Sequence, residues 1–270
     1  MKSKIVMAQI GSSNDKHENL KKAEECISNA IANYGAEMIL FPEAFMSYFE
    51  VGTSLETKRD DAEFIDGPFV NSMINLANKY GIWIVFNMRE ATTNPKDKRV
   101  FNTTVILNNK GENKGLYRKT HLYDAFGAKE SEGAKPGNSL FEPIDTPFGK
   151  IGLFVCYELR FPEVARYQAI HGADIILIPS GWVKGPLKEH HWKNLVISRA
   201  LENNLYVIAC NHVNDYYIGQ SLAVDPMGVV ISQGGEEERL IPCNINLDRV
   251  KNVRNILPSY KHRRTELYSN

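Results

Sequence analysis

The chain has 270 residues, with Lys+Arg 32 against Asp+Glu 32, 43% hydrophobic and 24% charged. Zero net charge argues against a nucleic-acid binder, which carries a basic excess, and no apolar run approaches the ~20 residues of a membrane helix. The length suits one large α/β domain, read as a single unit over 1–270 with 248–270 as a charged, extended C-terminal tail packed on this subunit or a neighbour.

Lys4 to Ile10 is the first apolar run, too short and too soon followed by charge for a leader, and reads as a strand. A helix capped near Asn14 or Asp15 follows, with apolar residues at spacings of three and four from Leu20 to Tyr34, and Gly35 closes it. Glu37 to Phe41 is a second strand, stopped by Pro42. A helix is predicted over 68–80 with Gly81 after it. Ile82 to Met88 and Phe101 to Leu107 read as strands joined by a polar hairpin loop over 93–99. Lys150 to Val155 is a strand, 162–171 a helix opened by Pro162 and closed by Gly172, and Asp174 to Pro179 a strand. A helix over 189–202, a strand over 205–209, and strands within 219–247 turning at Pro226-Met227-Gly228 and Gly234-Gly235 complete the pattern. Continuous apolar strands are the mark of parallel strands covered on both faces.

Cys26, Cys156, Cys210 and Cys243 have neither metal-site nor C-x-x-C spacing, so reduced thiols and a cytoplasmic setting are expected. Glu189-His190-His191 is not H-E-x-x-H, and neighbouring histidines on a helix point about 100° apart. No phosphate-binding glycine motif is present. Neither a metal nor another cofactor is expected.

Reactive residues stand at the carboxyl ends of three strands, where α/β sheets form sites. In Phe41-Pro42-Glu43 the apolar neighbours should raise the carboxyl's pKa toward that of a general base; the plainer alternative is a strand-end carboxylate accepting backbone N–H groups. In Tyr117-Arg118-Lys119-Thr120-His121, Lys119 could stabilise an oxyanion or be a solvated charge. Gly152 to Glu163 reads as strand, tight connection and helix, with Cys156 at a nucleophile-elbow position. A buried structural cysteine is the alternative there, and it suits Cys26, Cys210 and Cys243 better. A cysteine nucleophile usually has a histidine partner, for which His121, His190 and His191 are candidates.

F-P-E, Y-R-K-x-H-L and C-Y-E-L-R-F-P-E, in that order, resemble the nitrilase superfamily of carbon–nitrogen hydrolases over nearly the whole chain, and the last is similar to its amidase branch containing the ω-amidases. The resemblance implies an α/β fold, a four-layer αββα sandwich of two mixed sheets with outer helices, and a homodimer through the helices 162–171 and 189–202. It implies a Glu-Lys-Cys triad: Glu43 as general base, Lys119 as cationic oxyanion stabiliser, Cys156 as nucleophile. A second glutamate precedes Lys135-Pro136-Gly137; Glu130 is the match and Glu132 the alternative. The implied reaction is hydrolysis of a small linear amide through a Cys156 thioester, with the Tyr157 backbone N–H as a second oxyanion donor. Arg160 stands where related N-carbamoyl-amino-acid hydrolases hold a substrate carboxylate. It could instead form an ion pair with Glu158 or Glu163. N-carbamoyl hydrolysis and a non-catalytic scaffold are the alternative functions.

Overall fold

The computed structural model describes residues 2–94 and 97–268. In chain order the first half forms β1 (Lys2–Gln9), α1 (Lys16–Tyr34), β2 (Met38–Leu40), α2 (Leu55–Asp60), α3 (Pro68–Tyr80), β3 (Trp83–Glu90), β4 (Val100–Leu107), β5 (Asn113–Arg118) and β6 (Ala134–Lys135). The second half forms β7 (Ile144–Thr146), β8 (Gly149–Leu153), α4 (Pro162–Ile170), β9 (Ile175–Ser180), α5 (Lys188–Asn203), β10 (Tyr206–Asn211), β11 (Leu222–Val224), β12 (Val230–Gln233), β13 (Arg239–Asn246) and α6 (Leu247–Ile256).

Helix ends follow the local chemistry. Asp15 caps α1 by accepting from the His17 and Glu18 amides, and Gly35 ends it in the left-handed region at φ 64. Pro162 opens α4, and Asn204 at φ 50 closes α5 where no glycine is available. The strands on either side of 93–99 pair antiparallel, as a hairpin requires; Pro95 and Lys96 within that loop lie outside the described residues.

The strands make two mixed sheets. One runs β13-β1-β2-β3-β4-β5, with β6 also on β4; the other runs β12-β11-β10-β9-β8-β7. Each has three parallel strands at its centre, β1-β2-β3 and β10-β9-β8. Side chains alternate across the first sheet. Ile5, Met7, Met38, Leu40 and Val85 meet Ile151, Leu153, Ile175 and Val207 of the second. Val6, Ala8, Ile39 and Ile84 pack outward on Ala23, Ile27, Phe69 and Met73 of α1 and α3. Helices α4 and α5 cover the outer face of the second sheet through Val164, Ala165, Val196 and Ala200. The result is the expected four-layer αββα sandwich.

One expectation fails. The stretch from 248 is not extended: α6 runs over Leu247–Ile256, capped by Asn246 accepting from the Asp248 amide. Val250 and Val253 are buried, and Arg254 binds Asp174. The apolar pair at i, i+3 gives this charged segment one buried stripe, enough to fold it onto the body.

Candidate active site

Glu43, Lys119 and Cys156 come from two sheets and meet at the carboxyl ends of their strands. Glu43 leaves β2 through Pro42, Lys119 immediately follows β5, and Cys156 opens a 3-10 turn three residues after β8. Ala44 (φ 57) and Cys156 (φ 48) are both non-glycine residues in the left-handed region. Such strain persists only where surrounding bonds over-determine the backbone. The Ala44 amide donates to Asn87 Oδ1 at 2.8 Å. Beyond Cys156, Glu158 is fully buried and clamps the turn. It accepts from the Val155 amide at 2.8 Å, from the Tyr117 hydroxyl at 2.6 Å and from the Thr120 amide at 3.0 Å. One carboxylate thereby ties the cysteine turn to the segment that carries Lys119.

The Glu43 carboxylate is fully bonded. Oε1 accepts from Lys119 Nζ at 3.0 Å and Asn102 Nδ2 at 2.8 Å, and Oε2 accepts from the Gly181 amide at 2.8 Å. The Cys156 thiol is a further partner. Lys119, 2% exposed, also donates to Glu130 Oε2 at 2.9 Å. Glu130 is itself held by the Tyr123 amide at 2.6 Å and by Asn102 at 3.1 Å. Of the two glutamates near the Pro-Gly, Glu130 faces Lys119, whereas Glu132 is exposed beside Lys129.

The electrostatics differ from the sequence expectation at Glu43. Burial alone pushes its carboxyl up, but the Lys119 ammonium, the Cys156 thiol and Asn102 outweigh it and hold the group below the ordinary carboxylate range. Cys156 moves the other way: burial first, and the Glu43 charge second, push the thiol well above its ordinary value against the pull of Lys119. Burial opposes the Lys119 charge, yet Glu130 and Glu43 together raise it well above the usual lysine range. The resting site therefore holds carboxylate, ammonium and neutral thiol. The thiol proton has an acceptor beside it, which is what a nucleophile–base pair needs.

Among the described residues, no histidine joins this group. Glu43 and Lys119 are the charged groups that act on the thiol most directly. His121 stacks on Phe161 at 4.3 Å, and His190 and His191 lie on α5. The thiol opens on a cleft of about 980 Å³ lined by Glu43, Lys119, Glu130, Cys156, Lys188 and Tyr217. Beside it a small pocket of about 20 Å³, which Cys156 also lines, is walled by Tyr123, Tyr157, Arg160, Trp182 and Lys188. Arg160 makes no ion pair with Glu158 or Glu163. Its Nε and Nη2 are buried without hydrogen-bond partners among the described residues, and the guanidinium lies 4.6 Å over the Trp182 ring.

A carbon–nitrogen hydrolase family model matches residues 4–255. The chain belongs to the carbon–nitrogen hydrolase family. This hydrolase is 35% identical to a deaminated glutathione amidase of Escherichia coli O157:H7, over 90% of this chain and 92% of that one. It is 34% identical to the omega-amidase NIT3 of Saccharomyces cerevisiae, over 99% and 95%. The crystal structure of Saccharomyces cerevisiae Nit3, a nitrilase-superfamily member, superposes with a TM-score of 0.84 at 32% identity, covering 97% of each chain.

Asn102, Glu158, Trp182 and Lys188 were not among the site residues read from the sequence. Asn102 and Glu158 carried a faint signal: a polar residue inside an otherwise strand-like run, and a carboxylate two residues after the cysteine. Lys188 carried none.

Proposed function

We propose that this hydrolase is an amidase of ω-amidase type, releasing ammonia from the monoamide of a dicarboxylic acid. The observation that carries the reading is the convergence of Glu43, Lys119 and Cys156 in one buried, hydrogen-bonded group. In the first half, Cys156 Sγ attacks the amide carbon while the Glu43 carboxylate takes the thiol proton. The carbonyl oxygen becomes an oxyanion between Lys119 Nζ and the Tyr157 N–H. Protonated Glu43 then gives its proton to the departing nitrogen, the C–N bond breaks, and ammonia leaves a Cys156 thioester. In the second half Glu43 deprotonates a water that attacks the thioester, and its proton returns to sulfur as the acid leaves. Glu130 holds Lys119 charged and aimed. Arg160, with unpartnered donors in the pocket beside Cys156, takes the far carboxylate of the substrate.

The whole chain acts as one hydrolase unit, in keeping with the family match over 4–255. Its assembly is a homodimer through α4 and α5, where Ile170 and Leu201 stand 46% and 43% exposed. Four free, buried cysteines suit a cytoplasmic setting. No helix among the described residues is long and apolar enough to cross a membrane.

The test is ammonia release across a panel of dicarboxylic monoamides, neutral amides, N-carbamoyl compounds and nitriles. Monoamides should lead. Carbon dioxide released together with ammonia from carbamoyl compounds, at a higher rate, would replace this reading with N-carbamoyl hydrolysis.

A further inference from the structure

Lys188 is a lysine in the wrong place for stability. Lysine is among the residues least often buried, yet Lys188 is 4% exposed. It opens α5, the helix end where the backbone dipole disfavours a cation. The residue before it, Leu187, is held at φ 58 with its own side chain 68% exposed, so a strained backbone position turns the lysine inward. Inside, its Nζ donates to the Tyr123 hydroxyl at 3.0 Å and lies 3.5 Å from the Phe126 ring centre. It has no carboxylate within ion-pair distance among the described residues.

Its neighbour compounds the cost. The Arg160 guanidinium lies over the same two rings, 5.5 Å from Phe126 and 4.6 Å from Trp182, with Lys188 6.0 Å from the latter. Arg160 too lacks an anionic partner among the described residues, and its Nε and Nη2 are buried and unbonded there. Burial and the charge of Arg160 both push the Lys188 ammonium below its ordinary range. Two like charges in one desolvated pocket are unfavourable until an anion comes between them. Beside the thiol, Lys119 is flanked by two carboxylates, while Arg160 and Lys188 have none among the described residues.

Resting on the amidase reading above, we propose that Lys188 is a specificity-determining residue: with Arg160 it forms a two-cation clamp on one carboxylate of the substrate, the guanidinium fork taking one edge and the ammonium a remaining lone pair. Aromatic rings lie against both cations, and their faces favour cations without neutralising them. The clamp selects amides of acids bearing a single negative charge at the far end.

The test uses the full-length enzyme with Lys188→Met, which keeps the length of the stem, Lys188→Gln as a second neutral variant, and Lys188→Arg, which keeps the charge. The probes are the monoamide of butanedioic acid and uncharged butanamide. Each neutral variant should lower the kcat/KM preference for the acidic amide on the order of 10–100-fold, mainly through KM, as expected for loss of a charge-assisted bond. Lys188→Arg should retain most of that preference. A purely structural lysine would cost both amides equally, and that result would overturn the clamp. A second arm needs no turnover: millimolar butanedioate should raise the Tm of the parent enzyme more than that of Lys188→Met or Lys188→Gln. Equal stabilisation of all three would also overturn it. If the parent enzyme released ammonia from neither probe, the amidase reading would fail, and the Tm arm would still decide Lys188.

Discussion

At the scale of single residues the site depends on where three protons sit. Glu43 is a carboxylate because Lys119, the Cys156 thiol and Asn102 together outweigh the cost of burying it, and Cys156 is a thiol because burial and the Glu43 charge outweigh the pull of Lys119 at the sulfur. Glu43→Gln should therefore lose on the order of 10²-fold or more in kcat, since the amide cannot take the thiol proton. Lys119→Ala should do the same through the oxyanion; a change in KM alone would remove Lys119 from the transition state. Cys156→Ala should abolish turnover with folding intact, while alanine at Cys26, Cys210 or Cys243 should leave most activity. A separate residue-level consequence concerns His212, which is fully buried, accepts from the Ser12 amide at 3.0 Å, and has its pKa depressed by burial, with Lys22 adding to the effect, to about 3. In the unfolded chain this ring protonates below about 6.5, so between about 6.5 and 3 the unfolded state binds the extra proton. Its contribution to stability is complete above pH 6.5, is lost as pH falls, and levels off below about 3, for a total of roughly 5 kcal/mol. Unfolding free energies from pH 7 to 4 should fall less steeply in His212→Gln than in the parent protein.

At the scale of elements, short connections do the positioning. Lys119 follows β5 directly, and its carbonyl accepts from the Gly137 amide at 2.9 Å, which pins the Lys119 strand end to the Lys135-Pro136-Gly137 stretch. A Cβ on Gly137 would lie 2.2 Å from the Arg118 carbonyl oxygen, a backbone atom that cannot turn aside. Gly137→Ala must displace the strand end, so it should cost about 1–3 kcal/mol in stability and reduce kcat on the order of 10-fold by misplacing Lys119. Denaturant unfolding and steady-state ammonia release check the two effects separately. Glu158 has the parallel duty on the cysteine side. The Glu158→Gln variant can no longer accept from the Val155 amide, the Tyr117 hydroxyl and the Thr120 amide through two carboxylate oxygens, and it should lower both Tm and kcat.

At the scale of the whole molecule, the sandwich brings strand ends from two sheets together, and the outer face of α4 and α5 is left with exposed Ile170 and Leu201. In the homodimer proposed above these side chains are covered by the partner. Light scattering at micromolar concentration should give twice the chain mass, and Leu201→Glu should shift the population to monomer. A parent protein that is already monomeric would overturn the assembly.

The elements were largely legible in the sequence because their signals are local. Apolar continuity marked β8, β9 and β10, three-and-four spacing marked α1, and Asp15 and Gly35 set its ends. The motif residues Glu43, Lys119 and Cys156 were legible for the same reason, since each follows a recognisable strand. The direction of the Glu43 shift was not, because apolar neighbours in sequence announce burial but not the ammonium that arrives from 76 residues away. The helix over Leu247–Ile256 was hidden by its charges, its buried stripe being only two valines wide. Lys188 was hidden more deeply. A lysine among polar residues at the start of a helix reads as solvated, and only the packing of Tyr123, Phe126, Arg160 and Trp182 around it, from two distant stretches of chain, turns it into a buried cation beside the nucleophile. Patterns along the chain determine which segments become strands and helices; the charge state of a side chain is decided by what folding places against it.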